Sequence, residues 1–275
     1  MQSLSIFQGA KIREETDVKI GFLDSGVGGL SVLRNAQKAI PNADFLYYAD
    51  CDNAPYGEKT EAEVCGYVFG AVDFLLKNGA DAIVIACNTA TSVAVAKLRE
   101  RYDIPIIGME PAVKRALDLS TEGRILVTGT PITLKGDKLK LLIGELDRSH
   151  VVDLLPLPGL VKFAEKYRFN GDDVTDYIRS AFDGFDLENY SFLVLGCTHF
   201  NYFKDTLRTV LPEHIRFVDG NDGTVRQIIR RIGGFESEKS SETRYFISGR
   251  EMTSKEDLAR MEVFMSRLDL MYDIN

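Results

Sequence analysis

Ala82-Ile-Val-Ile-Ala-Cys87-Asn-Thr-Ala-Thr91 is a short apolar run that stops at a cysteine, passes through small amide and hydroxyl residues, and gives way to a helical pattern. Phe192-Leu-Val-Leu-Gly-Cys197-Thr-His199 repeats that order, with its cysteine 110 residues further on. An apolar run of this length without polar alternation reads as a strand buried on both faces, the kind that forms parallel sheets covered by helices. Each cysteine then falls at the carboxyl end of a parallel strand, where open α/β sheets keep their ligands. A helix N-terminus beside it carries unpaired N–H groups, which favour a thiolate. Two such units in one chain predict a duplicated α/β architecture that presents Cys87 and Cys197 to each other.

Around these runs strands and helices alternate. Further strands are expected over residues 18–23, 43–49, 104–108, 124–128, 151–155, 216–219 and 244–247. Helices are expected over 30–40, 61–77, 91–101, 110–119, 134–146, 160–167, 172–182, 202–210, 224–232 and 255–268, with a loop at 129–133 and a flexible lead-in over 1–17. Strict βα alternation means parallel sheets with helices on both faces. The pattern starts afresh after Glu110-Pro111, which puts a boundary near residue 111 and predicts two similar doubly wound α/β domains with the active site in the cleft between them.

Composition narrows the function classes. The chain has 275 residues, 45% hydrophobic and 27% charged, which is ordinary for a soluble globular protein with a proper core. Lys+Arg 33 against Asp+Glu 41 leaves a net charge of −8, which argues against nucleic acid or an anionic membrane as partner. The four cysteines, Cys51, Cys65, Cys87 and Cys197, form no disulfide framework and no zinc spacing. No lysine stands at a strand end to suggest a pyridoxal Schiff base, so the reading expects no cofactor. The first 19 residues lack the apolar core of a signal peptide, and a reducing cytoplasm is the expected compartment.

Asp24-Ser-Gly-Val-Gly-Gly29 follows the first strand and opens a helix, and Asp50 ends the next strand, as in a dinucleotide-binding fingerprint. Ser31 stands where the third glycine belongs, and there is no GK[ST] for a P-loop. A structural glycine turn and an active-site loop remain open; in the latter, Asp24 orients a cation or thiol while loop amides hold a carboxylate. A cysteine ending an apolar strand is, taken singly, more often a core residue. The shared setting of Cys87 and Cys197 favours paired reagents, whereas Cys51 and Cys65 read as structural. Asn88, Thr89 and Thr198 can cap helices and still bind carboxylates. His199, two residues from Cys197, reads as that thiol's proton partner or a substrate ligand.

Four motifs, DSGVGG at 24–29, PYG at 55–57, CNTAT at 87–91 and GCTH at 196–199, together resemble the glutamate racemases of the aspartate/glutamate racemase superfamily. The resemblance implies cofactor-independent racemisation of glutamate, supplying D-glutamate for bacterial peptidoglycan. It implies that the tail returns to the first domain, giving residues 1–111 with 221–275 as one unit and 112–220 as the other. Cys87 and Cys197 match the two acid/base thiols. Asp24, Ser25, Tyr56, Gly57, Asn88, Thr89, Thr198 and His199 match the substrate contacts, and Thr130 with Thr133 keeps the threonine pair of the second lobe's loop. A homodimer is compatible with this reading. As pairings, Asp24 is assigned to Cys87 and His199 to Cys197.

The chain departs from the resemblance at Phe200-Asn-Tyr202, where the family commonly has an aromatic, Pro and Leu, and at Val218-Asp-Gly-Asn-Asp, which replaces an Asp-Ser run. A dehydrogenase built on the first glycine loop and a two-lobed binding protein with inert cysteines are the rival readings.

Overall fold

The computed structural model describes residues 18–109, 112–233 and 241–275; the expected lead-in and the boundary at residue 111 lie outside them. In chain order the elements are β1 (Lys19–Asp24), α1 (Leu30–Ala39), β2 (Asp44–Ala49), α2 (Glu61–Lys77), β3 (Ala82–Ile85), α3 (Asn88–Arg101), β4 (Ile106–Gly108), α4 (Val113–Leu119), β5 (Arg124–Gly129), α5 (Pro131–Lys135) and α6 (Asp137–Leu146). They continue with β6 (Val152–Pro156), α7 (Pro158–Glu165), α8 (Asp172–Phe182), β7 (Tyr190–Leu195), α9 (Lys204–Arg208), β8 (Arg216–Val218), α10 (Asn221–Ile232), β9 (Thr243–Ile247), β10 (Arg250–Glu251) and α11 (Lys255–Met271).

The strands form two sheets, in the orders β10-β9-β2-β1-β3-β4 and β6-β5-β7-β8. The run β2-β1-β3-β4 of the first has the same order as the whole of the second, and all pairs within both runs are parallel. The expected doubly wound α/β duplication is therefore present. Strand order reverses between β1 and β3 and again between β5 and β7, the two places where ligands gather in open sheets. Cys87 and Cys197 follow the equivalent strands β3 and β7. The tail returns through β9, which pairs parallel with β2. Beyond it β10 pairs antiparallel with β9 across a tight turn at Ser248-Gly249, a departure from the all-parallel pattern.

Burial explains the strands. β3 is buried at every position, so its apolar letters run on without alternation. α2 starts at a capping box, with Thr60 accepting from the Glu63 N–H and Glu63 reaching back, and ends at Asn78-Gly79, where Gly79 has φ +89°. One apolar cluster covers the outer face of the first sheet under α2 and α3 (Leu23, Val64, Ile83, Leu98). A second covers the outer face of the other sheet (Val113, Val127, Leu139, Val194). The largest cluster joins the two sheets, running from Phe22 and Phe45 through Phe200 and Phe264 to Leu193 and Leu126. The lobes thus share a core around α1, α7, α8 and α11, which holds the two switch points at a set distance.

Three expectations are corrected by local chemistry. α3 begins at Asn88 rather than 91, because Cys87 itself caps it, its sulfur accepting from the Ala90 N–H at 3.5 Å. The expected loop at 129–133 holds α5, with Thr130 as cap and Pro131 in its first turn, and Gly136 separates α5 from α6. The helix expected over 202–210 is a 3₁₀ turn over Thr198–Phe203 followed by the short α9. Cys197 therefore caps no α-helix, and the two thiols do not have equivalent helical neighbours.

Candidate active site

Each switch point places one polar loop and one cysteine side by side. β1 delivers Asp24 and Ser25, and β3 delivers Cys87, Asn88 and Thr89; β5 delivers Thr130, and β7 delivers Cys197, Thr198 and His199. The turn after β2 adds Tyr56 and Gly57. A small cavity of about 20 Å³ lies between the two sets, and these residues all line it except Asp24, with Pro55 and Val161 completing the wall. Asp24 sits beneath, fully buried. Cys87 and Cys197 are both buried thiols on this one cavity.

The lobes touch through hydroxyls and glycines. Thr89 Oγ1 is 2.9 Å from Thr130 Oγ1 and 3.2 Å from Thr133 Oγ1, a cluster that crosses from α3 to α5. A side chain at Gly57 would meet the Thr130 Cβ at 2.9 Å, and one at Gly28 would meet His199 Nδ1 at 2.4 Å and Thr198 Oγ1 at 2.5 Å. These glycines allow a backbone approach that no side chain permits.

The two sulfurs have different partners. Cys87 Sγ lies 3.8 Å from Ser25 Oγ, and the Ala90 N–H points at it. Burial, reinforced by the nearby Asp24 charge, pushes the Cys87 thiol up to about 12, against the opposing pull of the Ala90 N–H. The expected thiolate-favouring effect of the helix terminus is thus outweighed at this site. Cys197 Sγ lies 3.8 Å from His199 Nδ1, and His199 Nε2 lies 2.7 Å from Glu165 Oε1. Burial pulls the imidazole pKa down, but the bonds to Cys197 and Glu165 prevail and hold it well above its ordinary value.

Asp24 does not bond to Cys87, the sulfur assigned to it. Its Oδ1 accepts the Gly26 N–H at 3.0 Å and its Oδ2 accepts the Thr198 hydroxyl at 3.1 Å, so this first-lobe carboxylate grips the second lobe's turn. Burial raises its pKa from 3.8 to about 6, with the charge of His199 opposing the rise. Asp50, the acid that would hold a ribose in a dinucleotide fold, instead accepts the Tyr56 hydroxyl at 2.5 Å and two contacts from Asn53. Asn88 Oδ1 is buried with no partner among the described residues, an acceptor at the cavity wall. No group of three or more His, Cys, Asp or Glu side chains among the described residues is arranged to hold a metal ion.

Glu165 and Val161 escaped the sequence reading. Glu165 closes α7 and reads as solvated charge beside Lys166. The available signal is its i, i+4 spacing from Val161, which places both on the face that carries Leu160 and Ala164 inward.

The family model for Asp/Glu/hydantoin racemases matches residues 30–228. The glutamate racemase of Campylobacter curvus is 50% identical over 265 residues, covering 94% of this chain and all of the relative. That of Lachnospira eligens is 47% identical over the same length, again with 94% and 100% covered. Among solved structures, glutamate racemase from Campylobacter jejuni superposes with a TM-score of 0.79 at 25% identity, over 90% of this chain and 98% of that one. The Escherichia coli glutamate racemase, in complex with L-glutamate and the activator UDP-MurNAc-ala, gives 0.79 at 28% identity, over 92% and 96%.

Proposed function

The chain belongs to the family of Asp/Glu/hydantoin racemases, and on that premise we propose that it interconverts L- and D-glutamate by a two-cysteine, cofactor-independent mechanism. The observation that carries the proposal is the pair of buried thiols, each after the equivalent strand of a duplicated sheet, on one cavity lined with amide and hydroxyl groups. Racemisation must take a weakly acidic α-proton from one face of carbon and return one to the other. Two thiols flanking the carbon do this without any group crossing the molecule, provided that one is thiol and the other thiolate.

In the L-to-D direction the Cys197 thiolate takes the α-proton, the C–H electron pair delocalises into the α-carboxylate, and the Cys87 thiol delivers its proton to the opposite face. The reverse reaction exchanges the roles. The high pKa of Cys87 suits the proton donor of the L-to-D direction. His199, held protonated between Cys197 and Glu165, can give a proton to that sulfur or take one from it. Backbone and hydroxyl donors at Ser25, Asn88, Thr89 and Thr198 stabilise the developing charge on the carboxylate. Asn88 Oδ1 accepts from the substrate ammonium, and Tyr56, Gly57 and Thr130 complete the binding wall. His199, rather than an acid, favours glutamate over aspartate, because a carboxylate there would repel the distal carboxylate of the substrate.

The same reading takes residues 1–111 with 221–275, and 112–220, as its two domains, supported by the return of β9 to β2. It takes the cytoplasm as compartment, D-glutamate for peptidoglycan as product, and a homodimer as an assembly to test. No helix among the described residues is long and apolar enough to cross a membrane. The deciding experiment follows a panel of L-amino acids by circular dichroism, with no cofactor added and chelator present. L-Glutamate alone should lose its optical rotation; faster loss with aspartate, or loss only after a metal or nicotinamide is added, would overturn the proposal.

A further inference from the structure

The turn after Cys197 reads Thr198-His-Phe-Asn-Tyr202, and Tyr202 stands where the resembled family commonly has leucine. Tyr202 is fully buried, its ring stacked on Phe169 with centroids 5.3 Å apart and tilted against Phe264 at 5.6 Å. Its hydroxyl leaves this aromatic cluster and donates to the Val27 carbonyl of the first-lobe loop at 2.8 Å. The Val27 N–H donates to Glu165 Oε1 at 2.9 Å. One residue of the glycine loop is thus held at both its N–H and its carbonyl by side chains of the second lobe. Tyr47, from within the first lobe, adds a bond to the Gly26 carbonyl at 2.7 Å.

The junction is braced from the tail as well. Arg267 of α11 donates to the Tyr202 carbonyl at 3.0 Å and pairs with Asp205. Val27 lies three residues after Asp24 and two after Ser25, the residue that touches Cys87. Slack at the Val27 peptide therefore reaches both the Asp24 contact to Thr198 and the Ser25 contact to Cys87. A leucine at position 202 fills the space but donates nothing. Among the described residues, the Val27 carbonyl would keep the longer bond from the Leu30 N–H, at 3.2 Å.

We propose that Tyr202 is a positioning residue, whose hydroxyl on the Val27 carbonyl fixes the Asp24–Val27 loop against the Cys197–His199 turn and so sets the placement of the two thiols. For its rate readout this rests on the racemase reading; its thiol readout does not. The test compares Tyr202→Phe with Tyr202→Leu. Losing one buried hydrogen bond that matters to reacting geometry corresponds to about a tenfold change. Tyr202→Phe should lower kcat about tenfold with KM within about threefold and the melting temperature nearly unchanged. Tyr202→Leu should lose kcat to the same extent and also melt lower, because it removes the ring. Mass-spectrometric iodoacetamide labelling of Cys87 in Tyr202→Phe should move to lower pH, as the loosened loop admits water to a sulfur whose thiol form is maintained by burial. Wild-type kcat together with an unchanged Cys87 labelling profile would overturn the proposal. So would a Tyr202→Phe chain that fails to fold, since the hydroxyl would then serve the core. Should the wild type not racemise glutamate, the functional reading fails while the labelling profile still decides this one.

Discussion

Glu165 Oε1 lies 2.7 Å from His199 Nε2 and 2.9 Å from the Val27 nitrogen, so one carboxylate oxygen joins the imidazole beside Cys197 to the loop that follows Asp24. This oxygen is part of what keeps the buried His199 protonated, because burial by itself drives an imidazole toward neutrality. Replacing Glu165 with Gln preserves the shape and removes the charge. The His199 pKa should fall, and the alkaline limb of the racemisation profile should move to lower pH, with kcat down about 10- to 100-fold. A raised histidine pKa stabilises the fold below its unfolded value and loses that contribution as pH rises through the folded value. Glu165→Gln should therefore cost more stability near pH 6 than at alkaline pH. NMR titration of the His199 ring decides it; an unshifted titration in the variant would sink the argument.

Asp24 works in the same sense for stability as His199. Its folded pKa of about 6 stands above the ordinary 3.8, so the folded state binds its proton more tightly than the unfolded chain. The fold is favoured below the unfolded pKa, and that advantage is lost as pH rises through about 6. At neutral pH the ionised carboxylate costs about 3 kcal/mol on this reckoning. Asp24→Asn can still accept from Gly26 and Thr198 while shedding the charge. Its melting temperature should approach the wild type's below about pH 4, exceed it increasingly up to about pH 6–7 and level off above, while racemisation falls. A constant offset across that range would contradict the assignment.

Gly28 marks how closely the lobes approach. An added Cβ would lie 2.4 Å from His199 Nδ1 and 2.5 Å from Thr198 Oγ1, so Gly28→Ala must displace the Cys197 turn. Activity should fall by about 100-fold or more, since small misplacements of reacting groups are costly. Gly66, exposed within α2 with nothing within 4 Å of its added Cβ, is the control: Gly66→Ala should keep activity and gain about 0.5–1 kcal/mol of stability. Parallel kinetics and denaturant melts of the two variants check both statements.

The doubled topology is legible because β3 and β7 are buried on both faces, and burial on both faces leaves an unbroken apolar run in the letters. The loop residues of the cavity are legible because they sit at strand ends, which the same runs locate. What escapes depends on distance in three dimensions. Glu165 meets a histidine 34 residues away, and only its spacing from Val161 hints at an inward face. The two-residue β10 is too short to carry any period. Whether Cys197 opens an α-helix or a 3₁₀ turn is decided by packing of Phe200, Tyr202 and Phe203 into the shared core, which local propensity does not encode. The assignment of Asp24 to Cys87 by strand neighbourhood misses its hydrogen bonds because the side chain points beneath the cavity, toward Thr198.

The division of labour between Cys87 and Cys197 gives the sharpest test of the proposed chemistry. If the two sulfurs face opposite sides of the α-carbon, each can deprotonate only one enantiomer, Cys197 the L form and Cys87 the D form. The returning proton comes from the other thiol, which has exchanged with solvent. In heavy water, L-glutamate should therefore give deuterated D-glutamate while the remaining L-glutamate stays protiated at early times. Cys87→Ala and Cys197→Ala should each abolish racemisation, because one turnover needs both; losing an acid/base group commonly costs about 10²–10⁴-fold, and more where nothing replaces it. A chloro-substituted analogue that expels chloride after deprotonation needs only one base. Each single variant should then still eliminate chloride from one enantiomer, Cys87→Ala from the L form and Cys197→Ala from the D form. That split separates a missing acid from a collapsed site, since a collapsed site would lose both eliminations. Near wild-type racemisation by Cys87→Ala, or deuterium entering both enantiomers equally from the start, would rule out two thiols working from opposite faces.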